Sequence, residues 1–218
     1  MPGLRHALTT RSEARSTVQV AVALGLDSLA TLRQVHGARI VDCRSVPEEP
    51  PQADALVLSK PGLAGAVFGA DCPLLLLVAP EERVLALVHS GWRSTAAGIL
   101  GVTLRHLETQ YDVSPQSVRV GMGPCIGAAR YEVSDDVVAA VTATVPRADG
   151  LSESTRPGHA KLDLGLVLER QLDALGVPAD HVERCRACTW EARETFHSYR
   201  RDGKAAGRHV LLAGWCGS

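Results

Sequence analysis

Apolar and polar positions divide this chain into short segments of two kinds. Leu63–Phe68, Leu74–Val78 and Val84–Val88 have no polar face. Runs of that length predict strands buried on both sides, in a sheet covered by helices. Asp54–Leu58, Leu29–Val35, Ala38–Cys43 and Val118–Met122 read as strands too, with Leu29–Val35 and Ala38–Cys43 meeting at His36-Gly37. Further strands are expected at residues 4–10, near His181–Cys185, at Phe196–Tyr199 and at His209–Ala213. Helical signals mark four stretches: Glu13 to Leu24 with Ser12 as N-cap and Gly25 as stop, Ser94 to Gln110, a Ser134-capped helix to Thr144, and an Asp163-capped helix to Leu175. Ile99, Val102, Leu104 and Leu107 give the second its apolar stripe. Ser45–Ala53 is a Pro-rich surface loop, and Pro146–Lys161 is a long polar one. The expected fold is α/β: a single domain over residues 1–218, layered α/β/α, with a mixed sheet covered by helices.

Composition removes several function classes. With 218 residues the chain can bury a full core. A net charge of −1 gives no electrostatic case for nucleic acid or an anionic membrane. An aromatic content of 4% also speaks against a base-stacking platform. No apolar run approaches the ~20 residues that span a bilayer. Residues 1–17 lack the apolar segment of a secretory signal, so a cytoplasmic location is expected. The six cysteines then read as buried small side chains, metal ligands or nucleophiles, not as a disulfide framework.

Candidate chemistry concentrates in Gly69–Leu100. Cys72 precedes one apolar run, His89 ends the next, and Gly91-Trp92-Arg93 opens a helix. With His36, the pair Cys72 and His89 makes two imidazoles and one thiol. With an open fourth position, that is the inventory of a catalytic zinc site, and copper also fits. The same spacing is met by a buried cysteine beside two hydrogen-bonded histidines, or by a Cys72–His89 nucleophile and base. Met122 is a poor axial ligand for blue copper, and none of the eight histidines forms the His-x-His pairs of a multicopper oxidase. The helix start at Gly91 and the forked cation of Arg93 suit an anion. Gly121–Gly127 is a glycine-rich strand exit without the residues of a phosphate-binding P-loop. Cys185-Arg-Ala-Cys188 lacks a second ligand pair and reads as packing. Residues 197–204 gather cations into a solvated turn or an anion-binding rim.

Taken in order, Gln34-Val-His36-Gly37, Ala53-Asp54-Ala55, Ala70-Asp71-Cys72, His89-Ser-Gly91-Trp92-Arg93, Gly123-Pro-Cys-Ile-Gly127 with Tyr131-Glu-Val133, Cys188-Thr189 and Ser198-Tyr-Arg-Arg-Asp202 are similar to one family. The chain resembles the YfiH-like purine nucleoside phosphorylases, also labelled laccase-domain or peptidoglycan-editing-factor proteins. The resemblance runs from His36 to the C-terminus. It implies zinc ligated by His36, Cys72 and His89, phosphorolysis of adenosine, inosine and methylthioadenosine, and deamination of adenosine. Two departures stand out. Ser90 and Ser94 occupy variable places of the His-Ala-Gly-Trp-Arg-Gly motif, and Thr10-Arg11 runs straight into a helix where the family carries a Gly-rich stretch and an Asn-Leu-Gly.

On this reading Asp71 shuttles protons or orients His36 or His89, and Arg93 holds phosphate at the helix start. Arg11, Ser198 and Arg200 complete the substrate- or phosphate-binding set. The partners are a purine nucleoside and phosphate, with no nucleic acid or membrane, and the assembly is a monomer or homodimer. The rivals are a Cys/His hydrolase editing peptidoglycan precursors, a polyphenol oxidase-like copper protein and a non-catalytic binding protein.

Overall fold

Leu74–Ala79 (β6) and Val84–His89 (β7) are buried at every position. In the computed structural model, which describes residues 1–217, they pair antiparallel at the centre of a six-stranded sheet. Val182–Arg184 (β12), Arg119–Met122 (β8), Ala55–Leu58 (β4) and Ile40–Cys43 (β3) complete it in the order β12-β8-β6-β7-β4-β3. Both faces of this sheet are covered. Leu75, Leu77, Ala86 and Val88 meet Ile99, Leu100, Leu104, Leu168 and Leu172, which come from helices Ile99–Tyr111 (α3) and Leu164–Ala174 (α5). Leu74, Leu76, Leu85 and Leu87 face a second sheet on the other side.

That second sheet has four strands: Leu4–Leu8 (β1), His209–Trp215 (β13), Leu63–Gly69 (β5) and Ser28–Thr31 (β2), in the order β1-β13-β5-β2. Its strands also alternate between two apolar surroundings. Val67, Leu211, Ala213 and Trp215 face the six-stranded sheet. Ala64, Ala66, Val210 and Leu212 face Val20 and Ala21 of helix Thr17–Ala23 (α1). The layers therefore run helix, sheet, sheet, helix. The α/β class and the mixed sheets covered by helices are as expected, and the sheet layer is two sheets thick. Gly65 permits that closeness, because a Cβ there would lie 2.6 Å from Leu58, 2.7 Å from Leu56 and 2.9 Å from Leu87.

A third, smaller sheet joins Glu132–Ser134 (β9), Ser152–Arg156 (β10) and His159–Leu162 (β11). With helix Asp135–Thr142 (α4) it forms a satellite core around Val133, Val137, Val141 and Leu162, against which Trp92 packs.

Several boundaries differ from the sequence reading. The first helix starts at Thr17, capped by Ser16 and not Ser12, because Ser16 and Gln19 form a reciprocal capping box. The helix expected over Ser94–Gln110 is two: Trp92–Ala96 (α2) and α3, broken where Gly98 takes φ +73°. The loop expected over Pro146–Lys161 contains the β10–β11 hairpin. Phe196–Tyr199 is not a strand, and Ser198 instead caps a short helix, Tyr199–Asp202 (α6). Leu29–Val35 and Ala38–Cys43 do not meet as partners. β2 pairs parallel with β5 and β3 parallel with β4, in different sheets.

Candidate metal centre

Strand register gathers the central residues at one edge of the six-stranded sheet. β6 and β7 run antiparallel with Leu74 opposite His89, so the turn before β6, carrying Cys72, lies beside the end of β7. β4 pairs with β7 through Ala55 opposite Val88, which sets Asp54 next to His89. The His89 main-chain N–H donates to the Asp54 carbonyl at 2.8 Å. His36 comes from the loop between β2 and β3, with φ +58°. That loop is held by the Asp54 carboxylate, which accepts from the N–H groups of Val35, His36 and Gly37 at 3.2, 3.0 and 2.7 Å.

Donor atoms of His36, Cys72 and His89 all lie within 4.8 Å of one another. His89 is 3% exposed, and its Nδ1 donates to Asp54 Oδ1 at 2.8 Å, leaving Nε2 as the free lone pair. A carboxylate that orients a ligating histidine in this way is the usual outer support of a metal site. Burial opposes ionisation of Asp54. The hydrogen bonds from His89, Gly37 and Val35 outweigh it, and the carboxyl stays below its ordinary value. Burial, with the neighbouring His89, depresses the His36 imidazole, so it is neutral and ready to ligate near pH 7. Gly91 closes over the same space. A Cβ on it would lie 2.8 Å from His36 Nδ1 and 3.0 Å from Cys72 Sγ. A side chain at position 91 would thus crowd His36 and Cys72, and the three donor atoms lie close enough together to hold one metal ion.

Without a metal, Cys72 is a poor nucleophile. Burial, reinforced by Asp71, pushes its thiol up to about 12. An activated cysteine requires the opposite shift.

The centre lies in the wall of a pocket of about 630 Å³. Gln34, Phe68, Trp92, Ile126, Tyr131 and Tyr199 give it polar, apolar and aromatic lining, and Arg93, Arg200 and Arg208 add three guanidinium groups. Arg93 stacks on Trp92, 4.3 Å from the ring centroid, and makes no ion pair among the described residues. Its helix α2 has only five residues, so the expected dipole contribution is slight and the side chain itself is the anion donor.

Asp71 also lines the pocket, but it orients neither histidine. Its Oδ1 accepts from the Thr189 hydroxyl and its Oδ2 from the Arg200 main-chain N–H, each at 2.6 Å. Asp54 performs the orienting role expected of Asp71, because register places it alone beside β7. Asp71 instead ties the Cys72 turn to α6, at a φ of +88°. The Gly-rich segment braces that turn as well, with the Ile126 N–H donating to the Asp71 carbonyl at 3.0 Å.

Arg200 is in the pocket; Arg11 and Ser198 are not. Arg11 lies outside the lining, 3.4 Å from Asp202 and bonded to the Arg193 carbonyl. Ser198 is fully buried and its hydroxyl accepts from the Arg201 N–H, so its role is to cap α6. Two residues of the site were given no role by the sequence reading. Asp54 belongs to the Ala53-Asp54-Ala55 motif and opens an apolar strand, but nothing in residue order sets it beside His89. Arg208 sits in a Gly-Arg-His run without periodicity. All six cysteines are free, and Cys188 accepts the Gly127 N–H, in keeping with its reading as a packing residue.

Fold and site together define an α/β protein with a two-histidine, one-cysteine group that can hold a metal ion beside a cationic pocket. The chain belongs to the family described as multi-copper polyphenol oxidoreductase laccase, whose model matches residues 9–216, the family of the YfiH-like proteins. Curated relatives carry another label. The chain is 34% identical over 206 residues to purine nucleoside phosphorylase YlmD of Geobacillus stearothermophilus, covering 88% of this chain and 74% of the relative. It is 35% identical over 208 residues to a purine nucleoside phosphorylase of Deinococcus radiodurans, covering 94% and 78%. The crystal structure of YlmD superposes with a TM-score of 0.91 at 28% identity, over 99% of this chain and 93% of that one. A Neisseria meningitidis protein gives 0.89 at 29% identity, over 100% and 96%. Among the described residues no helix is long and apolar enough to cross a membrane.

Proposed function

We propose that this chain is a zinc-dependent purine nucleoside phosphorylase acting on adenosine, inosine and methylthioadenosine with phosphate, and that it also deaminates adenosine. The observation that carries this reading is the meeting of His36, Cys72 and His89 within 4.8 Å, beside a pocket that also holds Arg93. Two imidazoles and a thiolate with one open position suit zinc. Copper of the electron-transfer type is less well served, because no methionine lines the pocket among the described residues. Zinc held there supplies Lewis acidity, which suits both departure of a purine and attack of water on the adenine ring.

The chain's own residues do the rest. Arg93 holds phosphate with a forked donor set, so that a phosphate oxygen faces the anomeric carbon of the ribose. The new bond forms there as the bond to the base nitrogen breaks, and the base leaves with that electron pair and takes up a proton. Phe68, Tyr131 and Tyr199 offer aromatic surface to the base. Asp71 keeps the Cys72 turn and α6 in place, which is a positioning role.

The test is phosphate-dependent release of hypoxanthine from inosine, with ribose 1-phosphate as the co-product. Activity should vanish with a strong chelator and return with zinc. Base release that ignores phosphate would make the protein a hydrolase, and release that survives the chelator would remove the metal from the reaction.

A further inference from the structure

Three guanidinium groups share the pocket with a single carboxylate, Asp71, and both oxygens of that carboxylate are already engaged. Arg200 is anchored, since its side chain donates to the Glu132 carbonyl at 2.8 Å and lies over the Tyr131 ring. Arg208 is held differently. One of its terminal nitrogens donates to the Ala206 and Gly207 carbonyls, both at 2.9 Å, and its guanidinium lies 5.9 Å from the Tyr199 ring centroid. Those bonds fix the plane of the fork without neutralising it, and no carboxylate pairs with it among the described residues. Arg93 and Arg208 both line the pocket whose wall carries His36 and Cys72. Two guanidinium groups without an ion pair, each held in place by its neighbours, thus line the pocket that carries the metal ligands. An oxyanion with several equivalent acceptors satisfies both at once.

We propose that Arg208 is a phosphate-binding residue, gripping inorganic phosphate together with Arg93 in the pocket that carries the centre. The proposal rests on the phosphorolysis reading above and extends it to a residue that reading does not use. It makes Arg208 a determinant of the anionic co-substrate and not of the nucleoside.

The experiment compares zinc-loaded wild type, Arg208→Gln, Arg208→Lys and the control Arg105→Gln, whose side chain lies outside this pocket. Each is titrated with inorganic phosphate by calorimetry, then assayed over a grid of phosphate and inosine concentrations. Circular dichroism and thermal melts confirm that each variant is folded. Arg208→Gln should weaken phosphate binding, and raise KM for phosphate, by about tenfold or more, the loss expected for charge-assisted hydrogen bonds. KM for inosine should stay within about twofold, because the lost contact is not to the nucleoside. Arg208→Lys should recover part of the loss, keeping the charge without the fork. Arg105→Gln should match wild type. Unchanged phosphate affinity in Arg208→Gln, or a rise in inosine KM alone, overturns the assignment, as does a wild type that binds no phosphate. Arg208-dependent phosphate binding without any base release keeps the assignment and overturns the phosphorylase reading.

Discussion

The Asp54 carboxylate accepts from His89 Nδ1 at 2.8 Å and, with its two oxygens, from three successive main-chain N–H groups of the loop that carries His36. One fully buried side chain thus sets the direction of one ligand and the backbone of another. Asp54→Asn puts an amide donor where acceptors are needed. Zinc affinity, measured by competition with a chromophoric chelator, should fall about 10- to 100-fold. A variant with undiminished affinity would show that the two histidines are positioned without Asp54.

Gly91 has an ordinary φ of −67°, so alanine meets no backbone penalty there. Its Cβ would nevertheless fall 2.8 Å from His36 Nδ1 and 3.0 Å from Cys72 Sγ. Gly91→Ala should keep the far-ultraviolet spectrum and near-normal melting of the apo chain while losing bound metal. Full metal occupancy in this variant would contradict the assigned position of the ion.

The two sheets meet closely at Gly65, where a Cβ would press on three leucine side chains at 2.6 to 2.9 Å. Gly65→Ala should cost about 1–3 kcal/mol in denaturant unfolding, the usual range for an overfilled core. A neutral result would mean that the leucines at this interface repack freely.

His209 is fully buried, and neither ring nitrogen has a hydrogen-bond partner among the described residues. Burial, with His197 adding repulsion, pulls its pKa down to about 4 from an ordinary 6.5. The unfolded chain therefore takes up a proton at this position below pH 6.5 that the folded chain refuses. Stability from this group is complete above pH 6.5 and declines as pH falls toward 4, with a slope of at most about 1.4 kcal/mol per pH unit. His209→Leu should flatten that part of the acid limb in pH-dependent unfolding. An identical limb in the variant would trace acid sensitivity to other groups.

Much of this arrangement was legible in residue order. Strands apolar on both faces revealed themselves by lacking any polar face, and Cys72 and His89 stood at the ends of two such runs. What residue order could not convey was register, and register is what puts Asp54 beside His89. The β10 strand reads as loop because all five of its residues are exposed, so no burial pattern marks it. The break before Ile99 depends on one glycine in a left-handed conformation within an otherwise helical run. Ser12 and Ser16 are both plausible caps by type, and Gln19 decides between them through its bond back to the Ser16 N–H at 2.8 Å. The division of the strands between two stacked sheets also lay out of reach, since the central strands β5, β6 and β7 are apolar on both faces whichever sheet they join.

The metal itself offers the sharpest check. Crystals of the zinc-loaded chain, measured on both sides of the zinc absorption edge, should give a single anomalous peak bonded to His36, Cys72 and His89. Its occupancy should be near one ion per chain, with the third ligand lost in Cys72→Ala. A peak at the copper edge in the same place would change the cofactor and leave the ligands standing. A metal bound elsewhere, or a Cys72 that reacts as a free thiol in metal-replete protein, would contradict the centre described here.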